Sequence, residues 1–391
     1  MKKYTIILAL LILSIGVRAQ SAPIDAVLRS IEQNNKQLQA NRQQTESQKL
    51  EARTGNNLPD PEFSYAHMWG KQDESISELS ITQSFDFPTL YATRNQMNKL
   101  RASAYDSQYE ASRREILQQA REICLDIIML RQQKEILDER LRNAQELSAM
   151  YGQRLETGDA NILETNKINL ELLNVKTEAT LNETALNNKL QELKTLNGDE
   201  TIALTGTLYP AATPLPDYNV LKAEVLASDM EVLALDRETA ASQKEVSLNK
   251  SQWLPRLELG YRRNTESRDP FNGVVVGFSI PIFENRNKVK MAKAQALNTQ
   301  YQKESKVLEV ESELAQQYRE AQTLFTSLGE YERTFAAQSD LELLKLALTG
   351  GEISMIEYFV EVSVVYQSRL NYIQLQNQYQ KVVSRMYKNR L

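Results

Sequence analysis

Chemistry at a protein site needs nucleophiles, bases or metal ligands in close company, and this chain offers few of them. His67 is the only histidine and Cys124 the only cysteine. That excludes a Cys/His zinc site and any intramolecular disulfide. Cys124 lies in a helical run beside Ile123, Leu125 and Ile127 and reads as a packing thiol. His67 sits on an alternating stretch and reads as a non-ligand. Adjacent carboxylates such as Asp138 and Glu139 stand on a regular helix with no base partner. No phosphate loop or nucleophile motif is present, so no enzyme activity and no cofactor are expected. The net charge of −5 gives no footprint for nucleic acid. The carboxylates that stand out by position are Glu164 and Glu357, one just past each of two Thr-Gly breaks.

Those breaks belong to a tandem repeat. Leu58-Pro59 and Leu254-Pro255 each follow a polar helical run and precede an alternating stretch. Ser47-Gln48-Lys49 matches Ser242-Gln243-Lys244, and Phe87-Pro88 matches Ile280-Pro281. Thr157-Gly158 matches Thr349-Gly350, and Asn161 to Leu173 parallels Ser354 to Tyr366. All recur in order at an offset of roughly 193 residues, the signature of a duplicated unit. The unit reads helix, strand, loop, strand, long helix, turn, helix. Arg94 to Glu156 alone, at 1.5 Å per residue, spans about 95 Å as a helix. Ile123, Ile127, Leu130, Leu137, Leu141 and Leu147 step at helix-packing intervals. Helices of that length require a coiled-coil-like bundle or barrel.

The spacing assigns residues 20–197 to the first repeat, with strands at about 61–69 and 77–87 and a helical hairpin over 94–196 whose tip is 157–159. Residues 198–216 form an inter-repeat segment. Residues 217–391 form the second repeat, with strands at about 256–263 and 273–282 and a hairpin over 287–388 whose tip is 349–352. Residues 1–19 read as a signal peptide, with Lys2 and Lys3 before the apolar run Tyr4 to Val17, too short to span a membrane. The expectation is export.

In the four strands one face is apolar and the other polar or small. Phe63, Tyr65 and Trp69 alternate with Glu62, Ser64 and Met68. Leu257, Leu259 and Tyr261 alternate with Glu258, Gly260 and Arg262, and Val274, Val276, Phe278 and Ile280 with Val275, Gly277 and Ser279. Over some 9–11 residues this is how a transmembrane β-strand reads, and also how a hairpin covering a soluble core reads. Export and the absence of a globular core favour the first. Four strands cannot close a barrel, and open edges are not tolerated in lipid, so copies must share one. Arg262, Arg263 and Arg268 lie near the expected external loop, where they meet lipid phosphate, line the lumen or are simply exposed charge.

With its signal peptide, twofold repeat, Leu-Pro before strands, Pro after them and Gly-containing tips, the mature chain resembles the TolC-like outer-membrane efflux family. Its compact length looks somewhat like that of the metal-efflux branch of CusC- and CzcC-like channels. The resemblance implies a mainly α fold with a small transmembrane β part: a homotrimer with an α-helical barrel and a shared 12-stranded β-barrel. It implies an exit channel in the cell outer membrane with a large periplasmic extension. Such a channel passively conducts small substrates from a periplasmic adaptor and an inner-membrane pump, of RND type, to the exterior. It also implies that Arg154, Leu155, Thr157 and Gly158 at one tip, and Leu348, Thr349, Gly350 and Gly351 at the other, dock the adaptor. By the same resemblance Glu357, with Glu164 as its counterpart, forms an acidic ring at the closed pore, where carboxylates would attract cations. A second acidic position of the family falls on Val360, with Glu361 one residue off. The alternative reading of the same elements is a periplasmic coiled-coil adaptor or structural protein bridging the membranes.

Overall fold

A computed structural model describes residues 22–71, 75–202, 204, 206–210, 215–266, 269–337 and 341–391. The signal-peptide reading and Arg268 fall outside those residues. Helices α1 (Ala22–Asn34) and α2 (Lys36–Thr54) lead into strands β1 (Glu62–Trp69) and β2 (Ser75–Phe85). The long helix α3 (Pro88–Thr157) turns back into α4 (Ile162–Leu196). The order then repeats: α5 (Tyr218–Ser228), α6 (Met230–Ser251), β3 (Arg256–Glu266), β4 (Asp269–Ser279), α7 (Lys288–Ala337), α8 (Leu341–Thr349) and α9 (Met355–Met386), with a short 3₁₀ turn at Lys388–Arg390.

Several boundaries depart from the periodicity reading, four of them for a clear local reason. The helix before each strand pair is two helices. In the first repeat the break is Asn35, whose side-chain oxygen accepts the Leu38 backbone N–H at 2.9 Å and so caps α2. In the second it is Asp229, which caps α6 by accepting from the N–H groups of Glu231 and Val232. Helix α3 begins at Pro88, where a missing N–H is harmless in the first turn, rather than at Arg94. Strand β4 begins at Asp269 because its pairing to β3 runs to Glu266, and it ends at Ser279 short of Pro281.

By backbone contacts the chain divides into two compact units. The first comprises residues 1–39, 113–225 and 312–391 and holds helices and no strand among its described residues. One apolar cluster includes Ile31, Ala120, Cys124, Ile127, Ile128 and Leu193, all nearly inaccessible. A second joins Leu147, Tyr151, Ile168, Leu348, Met355, Tyr358, Val362 and Tyr366 near the helix turns. The turn after α4 docks on the α1–α2 break: Asn35 donates to the Leu196 carbonyl at 2.8 Å, and Ser30 to the Asn197 side chain at 2.9 Å. Gly198 takes φ +68° there, and a Cβ on it would lie 2.5 Å from the Asn34 carbonyl, so only glycine fits.

The second unit comprises residues 40–112 and 226–311. It holds one antiparallel sheet in the order β1-β2-β3-β4. The middle pairing joins the repeats, with Ile81 opposite Tyr261 and Thr82 opposite Gly260. A Cβ on Gly260 would meet the Ile81 carbonyl at 2.5 Å. At the foot of the sheet, Asp86 accepts from Arg94 at 3.0 Å and faces Arg256 at 3.3 Å. A small cluster of Leu90, Met97, Ala241 and Leu248 packs the neighbouring helices. The sheet buries almost nothing: among its described residues only Ser80 is classed as buried.

Candidate functional site

Two features stand apart from ordinary packing: the faces of the sheet and the two helix turns.

The register sorts the strands into two chemically different faces. One face carries Phe63, Tyr65, His67 and Trp69 from β1, and Leu79, Ile81 and Phe85 from β2. It continues through Leu257, Leu259, Tyr261 and Arg263 of β3 to Asn272, Val274, Val276 and Phe278 of β4. Its apolar side chains lie open, with Trp69 81%, Val274 80% and Phe278 72% exposed. In water each such side chain forgoes roughly 1.5–3 kcal/mol of burial, so this face needs an apolar partner. Beyond the strands the apolar surface continues through Ile280, Ile282 and Phe283, with Trp253 and Leu254 exposed at the α6–β3 junction. His67 is accounted for by packing: its Nδ1 lies 2.7 Å from the Ser77 hydroxyl and its ring meets Trp69 edge-on.

The opposite face carries Glu62, Glu78, Glu258, Glu266 and Asp269 among serines and glycines, with Met68, Ile76, Phe271 and Val275 as its larger apolar side chains. Arg262 lies on it and pairs with Glu78 at 3.0 Å. Of the three arginines near the expected external loop, Arg262 belongs to the polar face, as the alternation has it, and Arg263 to the apolar one, while Arg268 lies outside the described residues. The outer edges of β1 and β4 pair with no strand among the described residues.

The helix turns are built alike. At the first, the Gly158 N–H donates to the Leu155 carbonyl at 3.2 Å and the Asp159 N–H to Arg154 at 2.7 Å. At the second, Gly351 donates to Leu348 at 3.1 Å and Glu352 to Ala347 at 2.8 Å. These are Schellman ends, and Gly158 (φ +82°) and Gly351 (φ +76°) hold the left-handed position. The glycine matching Gly158 is thus Gly351, one residue beyond the Thr-Gly pair. Each return helix opens with a capping box. Asn161 accepts the Leu163 N–H at 2.9 Å, while Glu164 accepts the Asn161 N–H at 3.3 Å. Ser354 accepts the Glu357 N–H at 3.2 Å, while Glu357 accepts the Ser354 N–H at 2.8 Å.

Both acidic residues singled out by sequence therefore have a structural task. The Ser354 backbone N–H, with its hydroxyl, holds the exposed Glu357 carboxyl below the usual carboxylate range. Among the tip residues, Arg154, Thr157, Gly158, Thr349, Gly350 and Gly351 are exposed and Leu155 is half-buried. Leu348 is only 6% exposed and packs with Met355, Tyr358 and Val362. The guanidinium of Arg154 lies over the Tyr151 ring. Between the two hairpins an open groove of about 520 Å³ is lined in part by Arg140, Lys167, Leu170, Phe359, Val360 and Val364. Beside it the Tyr366 hydroxyl accepts from Asn143 at 2.7 Å and donates to Glu139 at 3.3 Å.

Sequence reasoning missed the capping role, although Asn-x-x-Glu and Ser-x-x-Glu before a helix are its signature. It also could not pair Glu78 with Arg262, which needs the β2–β3 register. Burial pushes the Cys124 thiol up to about 12, consistent with an inert packing residue. Among the described residues no group of three or more His, Cys, Asp or Glu is placed to hold a metal ion. No described helix is long and apolar enough to cross a membrane.

Residues 221–388 match the family model described as outer membrane efflux protein. No curated protein sequence matches the chain. Among solved structures, CusC, described in a study of transmembrane channel formation, superposes with a TM-score of 0.79 at 16% identity, over 94% of this chain and 92% of that one. The outer-membrane channel OprN gives 0.78 at 14% identity, over 94% and 89%. The CmeC outer membrane channel of Campylobacter jejuni gives 0.73 at 14% identity, over 94% and 85%. The resemblance read from the sequence stands: the second repeat carries the outer membrane efflux protein signature, and the chain has the fold of the TolC-like outer-membrane channels.

Proposed function

We propose that this chain is one subunit of an outer-membrane exit channel, conducting small substrates passively to the cell exterior. The observation that carries the reading is the sheet. One of its faces is apolar and open, the other is acidic and polar, and both edges are unpaired. Lipid satisfies the first face, a watery lumen the second, and neighbouring copies the edges. About eight strands are the practical minimum for closure, so more than one copy must share a barrel; the likeness to the TolC-like channels supports three copies and a barrel of twelve. An adaptor or bridging protein would need a core to cover the apolar face, and no described residue supplies one.

The helical hairpins then extend into the periplasm. Their exposed tip residues Arg154, Thr157, Gly158, Thr349, Gly350 and Gly351, with half-buried Leu155, face a periplasmic adaptor. Leu348 supports that surface from beneath. The adaptor couples the channel to an inner-membrane pump of RND type, which supplies the energy. One Glu357 per subunit, backed by Glu164, places a ring of carboxylates at the pore constriction.

The test is ion conductance of the purified protein in planar bilayers. A stable, cation-selective conductance is expected. Glu357→Gln keeps the cap acceptor and removes the charge, so it should reduce cation selectivity without disturbing the fold. An unchanged reversal potential in that variant removes the ring, and no conductance in the wild type contradicts the channel.

A further inference from the structure

The apolar face of the sheet carries one cation and no anion. Reading its residues through the register, Phe63, Ile81, Tyr261 and Val274 form one row, and Tyr65, Leu79, Arg263 and Asn272 the next. Above them lie His67, Ser77, Thr265 and Pro270. Every carboxylate of the strands stands on the opposite face, where Glu78 is already taken by Arg262. Arg263 is exposed, and its cross-strand neighbours are Leu79 and Asn272. Among the described residues it has no acidic partner on its own face.

An arginine facing lipid at the bilayer midplane of a barrel costs about 2–4 kcal/mol, falling to about 0–1 near the interface. Its height on the sheet decides which applies. From Ile280 to Asn272 the strand rises about 26 Å, and a tilt of about 40° leaves about 20 Å of height. Ile282, Phe283, Trp253 and Leu254 extend the apolar surface below that. The apolar band of a membrane barrel is about 25 Å tall. Arg263 thus stands at the far edge of the band, on the side of the strand loops and away from the helices. On the same face Tyr65 is exposed in the row of Arg263 and Trp69 is exposed beyond it, where interfacial aromatics sit.

We propose that Arg263 is a lipid-headgroup site: its guanidinium binds the phosphate of an anionic lipid in the outer leaflet, once per subunit. The guanidinium fork matches phosphate oxygens two at a time, and the stem lies along Tyr261 and Leu79 while the charge reaches the headgroup layer. This inference rests on the membrane reading of the sheet.

The experiment places purified protein in nanodiscs of phosphatidylglycerol and digalactosyl diacylglycerol in equal parts, and counts the lipids retained by native mass spectrometry. The wild type is expected to retain the phosphate-bearing lipid about fivefold over the neutral one. Arg263→Gln should abolish that preference, Arg263→Lys should keep part of it, and Arg262→Gln, on the other face, should leave it intact. Equal retention of both lipids by the wild type, or a preference unaltered in Arg263→Gln, overturns the site while leaving the channel in place. A wild-type protein that does not enter the discs overturns both.

Discussion

At the first tip Gly158 bends the chain between α3 and α4; at the second Gly351 does so between α8 and α9. The two turns share the same backbone hydrogen bonds and the same capping box. Their side chains diverge. Leu155 is half-buried, whereas its counterpart Leu348 is sealed among Met355, Tyr358 and Val362. The first N-cap is an asparagine and the second a serine. The duplication has preserved what the backbone needs to reverse direction and left the surface free to differ. If both tips meet a partner, they share a shape but offer it different chemistry.

Seven substitutions probe that comparison, each read by hydrogen exchange of the tip amides, which reports local opening. The largest effect is expected from Leu348→Ala, a large-to-small change at a buried site that costs about 2–4 kcal/mol. Leu155→Ala should cost clearly less, and equal losses would contradict the difference in burial. Next come the glycines. Gly351→Ala and Gly158→Ala put a Cβ in the left-handed region, at about 1–2 kcal/mol each. Gly350, whose φ is not positive, should tolerate alanine better than Gly351 does. The reverse order would break the equivalence of the two turns. Then come the caps: Ser354→Ala and Asn161→Ala should each cost about 1 kcal/mol.

The smallest effect concerns pH. The Glu357 carboxyl is held below its ordinary value of 4.5 by the Ser354 N–H and hydroxyl. A depressed carboxylate adds stability above that ordinary value and loses it as pH falls through the folded value. The wild-type second tip should therefore be better protected than Glu357→Gln at neutral pH. That advantage should shrink as pH falls below the ordinary value and vanish once pH has passed the lower, folded value. An advantage that persists in acid would mean that the charge does not strengthen the cap.

Much of this was legible in the sequence because a strand face has period two and a duplicated unit repeats its punctuation. Phe63, Tyr65, Leu257, Leu259, Val274 and Val276 read as one face, and the register puts them there. Other features depend on contacts between segments distant in sequence. Alternation alone puts the adjacent Arg262 and Arg263 on opposite faces, but their cross-strand neighbours, Glu78 for the one and Leu79 for the other, come only from pairing to β2. The helix break at Asn35 is set by the turn at Leu196 and Asn197, which arrives from the end of α4. The recurring Thr-Gly pair marks both tips, and within the second the hydrogen bonds single out Gly351 from the Gly350-Gly351 pair as the match of Gly158. Glu164 and Glu357 were read for their charge, and their place three residues past an N-cap gives them a second task.

The central claim is that four strands per chain become a barrel only when copies share it. The most direct test is the native mass of the mature protein, extracted from outer membranes in mild detergent, with the bound detergent subtracted. The account predicts close to three chains. A monomer that stays soluble without detergent would contradict it, and the apolar face of the sheet would then have to be covered by something other than lipid.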